Sequence, residues 1–294
     1  MMKRLIAIIL SCLASLTILD AASRKYVTYE EYGAVGDGVH DDQAAIIAAH
    51  KAANELGLPV RATDGKTYYI GQGDKVAVIQ TDVDFGKAKF IINDVVTDTH
   101  SAPIFRVEST QKAVQITGVH NLKKEQKNLG VSLPARSLVF VENSKKKVYI
   151  RFGPNQNNGT PQKEVFIADK KGNVDSCSPI TWDYDEITRM TAFPIDKKTL
   201  TIKGGIFTTI ANQAESTYAY RGRGFAINRS NVRVENMTHY VEGELDHGAP
   251  YSGFLVFSYC ADVVVTDCLL TPNKTYRTIG SGGTPVSMGS YDLT

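Results

Sequence analysis

Cysteine is scarce in this chain, tryptophan occurs once, and net charge is nearly absent. Its 294 residues hold 4 Cys, 1 Trp, and 33 Lys and Arg against 31 Asp and Glu, for a formal charge of +2. So few cysteines exclude a disulfide framework, and stability must come from a hydrophobic core. The balanced charge removes any general attraction to nucleic acid. Long apolar runs are missing after residue 19, so no later segment has the length of a spanning helix. The one apolar run, residues 5–19, follows Lys3 and Arg4 and precedes Asp-Ala-Ala-Ser at 20–23. That order is a cleaved signal peptide of bacterial style over residues 1–23, and a secreted or periplasmic mature chain is expected. Cys12, behind Ile9-Leu10-Ser11, faintly resembles a lipoprotein box. Its apolar lead is short, so a cleaved leader is expected rather than a lipid anchor.

The remaining chain, 24–294, has the length of one large domain. Its most informative stretch is 32–43, Tyr-Gly-Ala-Val-Gly-Asp-Gly-Val-His-Asp-Asp-Gln. Glycines on both sides of Asp37 predict a tight turn with positive φ. Asp41 and Asp42 stand where a helix over 44–56 needs an N-cap acceptor. Leu-Gly-Leu-Pro at 56–59 ends that helix, and strand-like Thr-Tyr-Tyr-Ile follows at 67–70. This order over 29–71 resembles the opening of the pectate-lyase superfamily, in particular its rhamnogalacturonase/epimerase-like branch. The resemblance implies a right-handed parallel β-helix whose N-terminal end is capped by the helix, and an activity on acidic polysaccharides. Asp37, Asp41 and Asp42 read as turn and capping residues rather than as catalytic ones.

A repeat supports the solenoid independently. Thr-Leu-Thr-Ile-Lys-Gly-Gly, Asn-Val-Arg-Val-Glu-Asn-Met and Asp-Val-Val-Val-Thr-Asp-Cys begin at 199, 231 and 262, so 32 and then 31 residues apart. An apolar pair at i and i+2 points inward in each copy, and stacking successive copies buries it. Leu200, Val232 and Val263 should share one internal column, and Gly205, Met237 and Cys268 another. Ala-Val-Gln-Ile-Thr-Gly-Val at 113–119 reads as an earlier, degenerate copy. Residues from about 123 to 196 break the rhythm and read as a β-rich antiparallel insertion growing from one rung. Residues 280–294 offer no closing helix, and a solenoid needs a terminal cap, so truncation at the C-terminus is expected.

The polygalacturonase signatures (Asn-Thr-Asp, a later Asp-Asp, Gly-His-Gly, Arg-Ile-Lys) are absent. A polysaccharide lyase instead needs a cation to neutralise the uronate carboxylate, a base to remove the C5 proton and an acid for the leaving oxygen. Offsetting by 31 residues places Glu242 beside Asn273, Glu244 beside Thr275 and Asp246 beside Arg277. His239, Glu242, Glu244, His247, Lys274, Tyr276 and Arg277 are therefore the candidate catalytic group, with solvated turn residues as the plainer reading. Asp246 is a candidate Ca²⁺ ligand, and no other cofactor is indicated. Arg221 and Arg223, in Arg-Gly-Arg-Gly, could fork onto a carboxylate, and Tyr240 and Tyr251 could stack on sugar rings. The expected partner is an acidic polysaccharide or oligosaccharide. The expected activity is β-elimination at a uronic acid. A glycoside hydrolase or epimerase on the same fold is one alternative; a non-catalytic glycan-binding or tailspike-like coil is the other.

Overall fold

The computed structural model describes residues 24–71, 75–95, 102–149, 159–213, 221–243 and 251–271, with the backbone alone for 274–279 and 285–289. The chain enters through a 3-10 turn (Glu30–Tyr32), strand β1 (Asp37–Asp41) and helix α1 (Gln43–Leu56). Gly36 and Gly38 take φ of +64° and +80°, as the bracketing glycines predict. Asp41 does the capping, accepting the Gln43 N–H at 2.9 Å. Asp42 occupies the N-cap position without a side-chain cap bond. Its buried carboxylate instead accepts N–H bonds from Val35, Gly36 and Tyr69, tying the entry turn to the first coil. The apolar face of α1, Ile46, Ala49 and Ala53, is buried on the end of the coil.

The coil is built from parallel rungs of three strands. β2 (Val60–Arg61), β3 (Thr67–Ile70) and β4 (Ala77–Ile79) form the first rung; β5 (Val83–Asn93) and β6 (Phe105–Glu108) form the second. After an excursion through β7 (Val114–Gln115), β8 (Ser137–Tyr149), β9 (Thr160–Ala168) and β10 (Arg189–Pro194), the coil resumes with β11 (Leu200–Ile210) and β12 (Phe225–Asn228). β13 (Val232–Glu235), β14 (Thr238–Glu242) and β15 (Leu255–Phe257) make the next rung, and β16 (Val263–Thr266) and β17 (Leu269–Leu270) begin another. Leu200 registers with Val232 and Val232 with Val263, so the expected internal column exists. The second column also forms: Gly205 and Met237 are buried and Cys268 packs partly buried beside them. The protein is a parallel β-helix.

Left-handed residues turn each rung between its first two strands. Gly86, Gly204, Asn236 and Asp267 have φ of +52°, +73°, +56° and +54°. A second set, Asn231 and Asp262 at +59° and +57°, turns the chain back into β13 and β16. Asparagine, aspartate and glycine tolerate this region best, which explains the residue types at the ends of the repeat. Inside, aromatic side chains stack in columns. Tyr68, Phe90 and Phe207 have centroids 5.1 and 4.7 Å apart, and Phe105 and Phe225 lie 4.6 Å apart.

The excursion forms an antiparallel sheet in the order β7-β10-β8-β9. Val114 therefore pairs with Ala192 in this sheet and is not a rung copy, because its neighbours supply antiparallel rather than parallel partners. Residues 138–141 and 147–149 belong to one long strand, β8. The sheet has its own apolar core, including Leu122, Val139, Phe166, Tyr184 and Met190, separate from the core of the coil. Its stem is held by Ser109 Oγ donating to Asp196 Oδ1 at 3.1 Å and by an Arg229–Asp196 ion pair at 3.4 Å. Phe193 stacks on Tyr259 of the coil at 4.9 Å. The last two strands, β18 (Lys274–Ile279) and β19 (Pro285–Gly289), pair antiparallel with each other.

Candidate functional site

The residues singled out from the sequence part company in three dimensions. His239 follows Phe207 in register, one rung on, and is buried in the aromatic column. Its ring lies 3.7 Å from that of Phe254 at 4°, and Nε2 is 3.0 Å from Thr209 Oγ1. A base must reach its proton, and this imidazole faces the interior. Tyr240 and Glu242, alternating with it on β14, point outward and are exposed. Glu244, Asp246 and His247 lie outside the described residues. The expected stacking of Lys274, Tyr276 and Arg277 on the loop after Glu242 falls on residues 244–246, outside the described residues. Among the described residues, register with β14 runs through Leu269 and Leu270, and β18 pairs with β19.

Arg221, Arg223 and Tyr251 were expected at the surface, but all three are buried around Asp94, a fully buried carboxylate. Asp94 Oδ1 is 3.2 Å from Arg223 Nε and 3.7 Å from Arg221 Nη1; Oδ2 accepts the Tyr251 hydroxyl at 2.8 Å. The Tyr251 oxygen in turn accepts the Asn212 N–H at 2.9 Å. Burial, reinforced by the Asp94 charge, pushes the Tyr251 hydroxyl far above the usual phenol range. Burial pulls the Arg223 guanidinium down, and the Asp94 charge opposes that pull. The cluster joins residues that follow β5, β11 and β14, so it fastens three successive connections to the inside of the coil. The glycine after Arg223 marks close packing rather than access: a Cβ at Gly224 would lie 2.1 Å from the Phe254 carbonyl oxygen.

The accessible chemistry lies elsewhere, on the outward face of the first strand column. Residues 24–28 run beside β2: the Val27 N–H donates to the Pro59 carbonyl at 2.9 Å, and the Arg61 N–H to the Val27 carbonyl at 2.8 Å. Val27 is buried, so Tyr26 points outward by strand alternation. Its ring sits under the Arg61 guanidinium, 4.7 Å from Cζ to centroid. From there an open groove of about 480 Å³ crosses the rungs, lined by Tyr26, Arg61, Asp82, Asp84, Lys203 and Glu235 among others. A second hollow of about 330 Å³ shares Tyr26, Arg61 and Asp84 with it and adds Thr28, Thr63 and Asp64. Register orders the floor: Arg61 pairs with Asp84, Asp84 with Lys203, and Lys203 with Glu235. Asp84 lies 3.2 Å from Lys203 and 4.0 Å from Arg61. Among the described residues no cluster of metal-ligating side chains is present. The sequence reading missed this groove, although Lys203 and Glu235 stand at the same place in two aligned repeats.

No family model and no curated protein matches the chain. Solved structures do. The tailspike gp61 of Pseudomonas phage phi297 aligns over 84% of this chain and 47% of its own, at 14% identity and a TM-score of 0.50. The tailspike gp49 of Pseudomonas phage LKA1 aligns over 82% and 46%, at 15% identity and a TM-score of 0.43. PfbA, a surface adhesin of Streptococcus pneumoniae, aligns over 83% and 37%, at 18% identity and a TM-score of 0.37. The chain thus spans about half the length of the tailspikes it matches. At such identity the first likeness bears on the fold, which is the parallel β-helix the register describes.

Proposed function

We propose that this protein is an exported β-helix that engages an acidic polysaccharide along the outer groove of its first strand column. The groove itself carries the reading: it is long, open, crosses several rungs and offers one aromatic face among paired charges. Extended sugars present hydroxyl and carboxylate groups at intervals, and paired donors and acceptors with a stacking ring suit them. Export is inferred from the leader at 1–23. Membership of the pectate-lyase superfamily belongs to the same reading and is supported by the turn, capping helix and first strand over 29–71.

Elimination at a uronic acid is the reaction we assign. Tyr240 and Glu242 support it as exposed acid–base groups at the start of the connection that carries Glu244, Asp246 and His247 in sequence. Incubating the protein with immobilised and soluble uronate glycans, with Ca²⁺ or with a chelator, tests both levels. Retention on the glycan and rising ultraviolet absorbance of the unsaturated product are expected, with retention weakened in Tyr26→Ala. Retention without that absorbance would overturn elimination alone; new reducing ends without it would point to hydrolysis. No retention on any acidic glycan would overturn the whole reading.

A further inference from the structure

The floor of the groove is a ladder of alternating sign. Arg61, Asp84, Lys203 and Glu235 occupy one column on four consecutive strands, β2, β5, β11 and β13. Parallel neighbours lie roughly 4.8 Å apart, so the two cations are separated by roughly 9.6 Å, as are the two carboxylates. One rung spacing is close to the run of one sugar in an extended glycan, and two spacings to that of a disaccharide. Resting on the polysaccharide reading above, we propose that the groove selects acidic glycans bearing a carboxylate on every second sugar. The chain would lie along the coil axis, across the rungs.

The physical argument is one of register and repulsion. A chain with alternate uronic acids sets its carboxylates against Arg61 and Lys203 and its intervening uncharged sugars against Asp84 and Glu235. A polymer with a carboxylate on every sugar, held in the same register, forces alternate charges onto Asp84 and Glu235. Like charges placed face to face are how a site rejects a near relative of its ligand. Arg61 and Lys203 are available for this: their side chains are 56% and 48% exposed. Their pairs with Asp84 are surface contacts that a ligand can share. Asp84 is also anchored for a fixed position, accepting the Gly86 N–H at 3.1 Å. At the margin Asp82 is offset by Lys198, 3.6 Å away, and by Lys25, so the alternation resides in the floor column.

Titration calorimetry of the full chain tests this with two probes. Hyaluronan oligosaccharides carry a uronic acid on every second sugar, and oligogalacturonates carry one on every sugar. Binding of hyaluronan oligosaccharides at least tenfold tighter, weakening with added salt, is expected. Glu235→Gln should narrow that ratio by strengthening oligogalacturonate binding, and Lys203→Gln should weaken hyaluronan binding severalfold. Circular dichroism on each variant establishes that the coil is intact, and either variant alone suffices to place the effect. Equal affinity for the two probes would overturn the alternation and leave polysaccharide engagement standing. A preference unchanged in both folded variants would overturn the assignment to this groove. Binding of neither probe, nor of any acidic glycan, would remove the underlying reading as well.

Discussion

His50 lies fully buried beneath the capping helix, its Nε2 3.0 Å from the Tyr29 hydroxyl oxygen and its ring edge-on to Phe105. Burial drives its pKa down to about 3 from an ordinary 6.5. Between those values the unfolded chain holds a proton that the folded chain refuses. Stability from this group is therefore complete above about pH 6.5 and is lost as pH falls toward 3, with a slope up to about 1.4 kcal/mol per pH unit. Urea unfolding of the wild type and His50→Leu across this range should show a flatter dependence in the variant. Asp94 is the second such residue. Converting it to Ala leaves Arg221 and Arg223 buried without their carboxylate, a loss of about 3–5 kcal/mol. Tyr251→Phe removes the hydroxyl that donates to Asp94 and accepts the Asn212 N–H, and should lose about 2–3 kcal/mol, less than Asp94→Ala, and denaturant midpoints will separate the two.

At the scale of the element, the corner between the first two strands of each rung decides whether rungs can stack. Gly204 sits there at φ +73°, and a Cβ on it would lie 2.5 Å from the Gly86 carbonyl oxygen. Gly204→Ala adds that clash to a backbone penalty of about 1–2 kcal/mol and should destabilise the protein accordingly. Asn236, in the same corner one rung later at φ +56°, meets the requirement with a side chain. Asn236→Gly should therefore change the thermal midpoint little. The corner residues show why the repeat was legible: inward apolar pairs and left-handed turn residues both recur with the rung. His239 was legible in principle too, since 32 residues before it stands Phe207, an aromatic of the interior. Reading it as a catalytic base overlooked that a rung position keeps its orientation while its residue type changes. The burial of Arg221, Arg223 and Tyr251 had no such signal. Their partner, Asp94, is more than a hundred residues away in sequence, and proximity arises only when the coil closes.

For the whole molecule, two cores imply two units that pack without depending on each other. The antiparallel sheet enters after β6 and returns before β11, while the next passage between the same strand columns takes only Arg229, Ser230 and Asn231. Replacing residues 109–199 with that three-residue turn should leave a folded parallel coil, provided β6 and β12 keep their register. A β-type circular dichroism spectrum with a single cooperative thermal transition is the expected result. An unfolded or aggregated product would show that the sheet is needed to close the rung.

The amino-acid order alone determined the class of architecture, the cap at its entrance and the place where an extra sheet interrupts it. These depend on local chemistry repeated at a fixed interval: apolar alternation, glycine or asparagine at corners, and a helix with a clear start and stop. Which polar side chains meet, and which face solvent, was decided only by the closed coil. Winding the chain sets residues a rung apart side by side, hides an arginine cluster in its inner connections and opens a charged groove on the outer face of its first strand column. Sequence distance carries no trace of that sorting, because burial is a property of the neighbours that folding brings.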